Sequence, residues 1–137
     1  VACKETGLRL ENVYGAQLYD RVGYHDFGAA PTQAEEGPAI VKSLGRNDFL
    51  ILRNHGLLVV APHVPAAFDR MWLLQRSCEI QVATDALSGP NRAIGNNLLA
   101  DFSRQMQSQW AGQAREGQRA FDAAVRQSGV DYGELAA

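Results

Sequence analysis

The chain carries three histidines, His25, His55 and His63. His55 sits in the stretch "ILRNHGLLVVA" (51–61), between two apolar runs. An imidazole at that junction reads either as a polar residue in a hairpin turn or as a metal ligand whose partners lie elsewhere. Zinc takes three or four protein ligands, and no second ligand stands two or four residues away from His55. His63 lies just before Pro65 and reads as a helix-start residue. His25 neighbours Asp26 in "GYHDFG", which suits either a ring-orienting pair or a solvated loop. Glu35 and Glu36 are adjacent carboxylates. The pattern Thr32-x-x-Glu35 is a capping box and accounts for Glu35, while Glu36 reads as a solvated face. Asp20 and Asp26, flanking "RVGYH", are weaker metal candidates. No Ser–His–Asp set can be defended, and "SGPNRAIG" is too irregular for a phosphate-cradling loop.

The elements that would position these residues follow from periodicity. Residues 18–24 read as a short strand, and the capping box opens a helix over 33–44, with Gly45 as its C-terminal stop. Residues 49–53 and 57–61 are apolar runs of strand length. Between them "NHG" suits a tight antiparallel connection, with Gly56 supplying a permissive backbone. Pro65 suits a helix start, and Ala67, Phe68, Met71, Leu74, Cys78 and Val82 recur at helical spacing toward residue 87. "SGPN" breaks that helix. A second long helix is predicted over 94–126, with a stripe of Leu98, Phe102, Met106, Trp110, Phe121 and Val125. So few strands cannot cover two amphipathic helices that carry Phe68, Met71, Trp72, Phe102, Met106 and Trp110. The expectation is an oligomer, or additional chain supplying sheet.

The bulk numbers bound the class. The 137 residues suit one domain with a real core. A 46% hydrophobic and 20% charged composition is that of an ordinary globular chain. A net charge of −2 with no basic block argues against nucleic-acid binding. No apolar run approaches the roughly 18 residues of a membrane helix. Cys3 and Cys78 fit no zinc or redox spacing, and two isolated cysteines suit a reducing cytoplasm. The first residues, "VACKETGL", contain no initiator Met and no signal-peptide core.

At "FLILRNHGLLVVAPHVPAAFDRMWLLQRSCEIQVA" (49–83) the sequence resembles the class II aldolase/adducin family. "RVGYHDFG", followed by a helix and "LG", fits the same resemblance, which spans about residues 1–88 and leaves 89–137 as a helical tail of a single domain. The resemblance implies an α/β fold of three α/β/α layers on a mostly antiparallel sheet, incomplete here, with long C-terminal helices. It implies a divalent metal, zinc, held by three histidines: two from a His-x-His motif upstream and a third from the His-Gly pair, which is His55. It implies reversible carbon–carbon cleavage of small hydroxycarbonyl compounds, often sugar phosphates. Subunits of such enzymes form ring-shaped tetramers whose C-terminal residues reach a neighbour, and Tyr132 is the residue here whose type suits that reach. The chain departs from the pattern in having no His-x-His. It therefore reads as the C-terminal portion of a member, begun past the first two ligands, and no catalytic base is assigned. The opposing expectation is an adducin-like domain that keeps the fold for association without catalysis.

Overall fold

A computed structural model describes residues 1–28, 32–110 and 116–129. Three strands, β1 (Val22–His25), β2 (Phe49–Leu52) and β3 (Gly56–Val59), lie side by side in chain order. Among them run helices α1 (Val13–Ala16), α2 (Gln33–Leu44), α3 (Val64–Asp85), α4 (Asn96–Trp110) and α5 (Gln118–Ser128). β1 and β2 are parallel, with α2 as the crossover, and β2 and β3 are antiparallel. The described part of the sheet is thus mixed.

All of Phe49, Leu50 and Ile51 are fully buried, so β2 is covered on both faces. Phe49 and Ile51 join Leu8, Leu18, Leu73, Leu74 and Cys78 in the core beneath α3. Each large side chain buried there contributes about 1.5–3 kcal/mol. On the other face α2 presses on β1: a Cβ at Gly23 would stand 2.8 Å from the Ser43 carbonyl oxygen. This is the expected α/β/α layering in local form. The segment before α1 is stapled to α3 by Gln81, whose amide donates to Gly7 O (2.9 Å) and accepts from Arg9 N (2.8 Å).

α2 matches its predicted span, but its cap differs. The Thr32 hydroxyl donates to the Glu35 carboxylate (2.6 Å) and caps no backbone amide. Pro38 lies inside α2 without ending it; no α2 residue is fully buried, so water can serve the carbonyl that the ring leaves unpaired. The strand predicted over 18–24 instead begins at Val22. Asp20, at φ 58°, bends the chain first, and the stretch before it is a helical turn capped by the Asn12 side chain, which accepts from the Tyr14 and Gly15 amides. The single helix predicted over 94–126 is two. α5 starts after Gly117, which is left-handed at φ 72°, and a Cβ there would stand 2.2 Å from the Pro65 carbonyl oxygen. Only glycine brings the chain so close to the start of α3.

Candidate functional site

Residues 53–55 connect β2 to β3, since Leu52 pairs with Gly56. All three amides of the connection are used. Arg53 N donates to His25 O (2.8 Å), Asn54 N to Ala2 O (3.1 Å) and His55 N to Leu52 O (3.1 Å). The residue with positive φ is Asn54, at 56°, not Gly56 as the permissive-backbone reading expected. Asparagine tolerates that conformation better than most residues. Arg53 completes the brace: its guanidinium lies over the Tyr24 ring at 4.3 Å, and Nη1 donates to Lys4 O (2.6 Å). The backbone of His55 is therefore fixed while its side chain is exposed.

His55 stands at the edge of a recess of about 320 Å3, which it lines together with His25, Asp26, Glu36 and Arg53. Three separate stretches of sequence contribute these five residues. His25 ends β1 and is only 6% exposed. Its Nδ1 lies 2.9 Å from Ser43 Oγ on α2, so its ring is oriented by Ser43 and not by the adjacent Asp26. Glu36, read from the sequence as a solvated carboxylate, faces the recess, whereas Glu35 is engaged by Thr32. His63 does not join the site. It caps α3, accepting from Ala66 N through Nδ1 (3.3 Å). Asp20 is at the other end of the sheet, paired with Arg46 (2.6 Å). Tyr132 lies outside the described residues. The sequence reading missed Arg53, which follows β2 and reaches Tyr24 through the pairing of Tyr24 with Ile51.

A divalent metal needs more than this. Among the described residues no three or more His, Cys, Asp or Glu side chains are grouped so as to hold an ion. His55 offers one lone pair, and the described residues do not by themselves make a metal centre.

The family described as "Class II Aldolase and Adducin N-terminal domain" matches residues 1–82. Layering, braced His-Gly turn and this match agree, and the chain belongs to the class II aldolase and adducin family. Its relatives span both halves of that name. A class 2 aldolase-type protein of Pseudomonas aeruginosa is 34% identical over 100 residues, which are 73% of this chain and 39% of that protein. Human beta-adducin is 29% identical over 126 residues, 82% of this chain and 17% of the adducin. A crystal structure of an aldolase II superfamily protein from Pseudomonas syringae superposes with a TM-score of 0.77 at 26% identity, covering 92% of this chain and 49% of that one. The chain thus spans less than half the length of each of these three proteins.

Proposed function

We propose that the protein is a lyase of the class II aldolase type, cleaving a small hydroxycarbonyl compound or sugar phosphate, with His55 as one ligand of a divalent metal, zinc. The observation that carries this reading is the turn itself. Three consecutive amides fix the backbone of residues 53–55, while the imidazole of His55 makes no hydrogen bond among the described residues. A ligand imidazole must present an unclaimed ring nitrogen, and the ring of His55 is exposed and unclaimed on a fixed backbone. The remaining ligands and the proton-transferring base lie beyond the residues described, so no reaction step is assigned to this chain. What its own residues supply is a placed nitrogen, the Arg53 cation beside it for an anionic substrate, and walls that limit substrate size.

The adducin-like reading, a domain kept for association, is favoured by the 29% identity to human beta-adducin over 82% of this chain. Exposed apolar side chains on α3, among them Val64, Trp72 and Val82, support assembly into a homo-oligomer, a tetramer in the aldolase reading. No helix among the described residues is long and apolar enough to cross a membrane. The unpaired cysteines Cys3 and Cys78 support a cytoplasmic location. The deciding experiment uses the full-length protein with and without His55→Ala, measuring bound metal by elemental analysis and aldol cleavage with a set of phosphorylated hydroxycarbonyl substrates. The aldolase reading expects stoichiometric metal and turnover, both lost in the variant. A full-length protein that binds no metal and cleaves nothing supports the association reading.

A further inference from the structure

At the end of the sheet away from His55, where the parallel strands β1 and β2 begin, an open recess of about 500 Å3 is lined by Arg21, Arg46 and Arg104, with Asn47 and the carboxylates of Asp20 and Asp48. We propose that this recess binds the phosphate group of a small phosphate monoester. It is separate from the His55 recess and shares no lining residue with it.

The argument starts from Arg21, only 9% exposed. Its guanidinium lies 5.0 Å from the Phe49 ring centre and 5.2 Å from that of Trp110. One nitrogen, Nη2, is bound by Asp48. The other, Nη1, is closed to water and has no hydrogen-bond partner, alone in this among the buried side-chain polar atoms described. Leaving a charged donor unsatisfied is costly, and such an atom marks an interaction still to be made. Asp48 does not relieve it: its other oxygen is engaged by Arg70 (3.2 Å).

The rim arginines are exposed. Arg46 pairs with Asp20 and Arg104 with Asp101, but their side chains are 78% and 75% exposed, and ion pairs that exposed are weak. Both guanidiniums are free to turn toward an anion. Three arginines against two aspartates leave the lining with an excess positive charge on a chain whose net charge is −2. Guanidinium forks match phosphate oxygens in pairs. The volume lies within the roughly 300–1,000 Å3 of small-molecule pockets, which leaves room for the organic part of an ester.

The test is calorimetric titration of the full-length protein with glycerol 3-phosphate and with inorganic phosphate, at ionic strength held constant with sodium chloride. Saturable binding is expected, tighter for the ester. The exposed-site double variant Arg46→Gln/Arg104→Gln should weaken it by about tenfold or more, and Arg21→Lys, which keeps the charge but loses the fork, should weaken it as well. Metal content and turnover should stay unchanged in the double variant, so the outcome is independent of the aldolase reading. Absence of saturable binding overturns the proposal. Affinity untouched by the double variant overturns the location, and inorganic phosphate binding as tightly as the ester overturns the monoester.

Discussion

Asp48, immediately before β2, shares its carboxylate between Arg21 and Arg70, and Arg70 reaches on to Glu116 beyond α4 (2.9 Å). At the far end of the same strand, residues 53–55 are held mainly through their own amides, and the imidazole of His55 is left over. One end of a four-residue strand spends its charged side chains on structure. The other is fixed by backbone amides and by the Arg53 side chain, and only the imidazole of His55 is left without a hydrogen bond there. The difference shows that one small sheet can be held rigid by ion pairs at one end and by backbone amides at the other.

Deleting charge from the structural end should do the most damage. Arg70→Ala leaves Glu116 nearly buried without its partner, and urea denaturation should show a loss of about 3 kcal/mol. Gly117→Ala attacks the same end through the backbone, because the new methyl meets Pro65 O and the residue must hold φ 72°. A loss of about 2 kcal/mol is expected, and a variant as stable as the parent would mean that α5 is not anchored at α3. At the ligand end, Ser43→Ala removes the partner of His25 Nδ1 and should lower the urea midpoint by the equivalent of about 1 kcal/mol. His55→Ala should change stability by less than about 0.5 kcal/mol while removing metal and turnover from the full-length protein. If it destabilises as much as Ser43→Ala, the imidazole has a structural role and the contrast between the ends fails.

A pH scan sharpens the contrast further. Burial, and then the nearby Glu116, raise the Asp69 carboxyl above its ordinary 3.8. A raised acid favours folding when protonated. Its contribution is therefore complete below 3.8 and is lost as pH rises through the folded value. Asp85 slopes the other way: the hydrogen bond from Arg9 lowers it, so its contribution is present above the ordinary value and is lost as pH falls through the folded one. Melting temperatures of Asp69→Asn against the parent should diverge as pH rises from that ordinary value, the variant being the more stable at neutral pH.

α2 and α3 were legible because each carries its own signal, a Thr-x-x-Glu start in one and a Pro-led apolar stripe in the other. The gap between α4 and α5 was not, because the apolar stripe continues through Gly117 and the reason for the turn is a contact with Pro65, 52 residues earlier. Asp20 likewise looks like a strand residue until its positive φ is known. At the site, His55 stood out only through the family resemblance. The recess around it could not be read, since His25, Glu36 and Arg53 are brought to it by strand pairing and by the packing of α2, and no local spacing encodes either.

The bonds from Asn54 to Ala2 and from Arg53 to Lys4 also fix where the first residues run. Any polypeptide joined to Val1 leaves from beside the His55 turn. Its side chains would meet that imidazole as an intramolecular event, at an effective concentration of roughly millimolar or above, and would need only a short loop closure to reach it. Connectivity then does what affinity would otherwise have to do, and a weak donor carried on that stretch would count as a strong one.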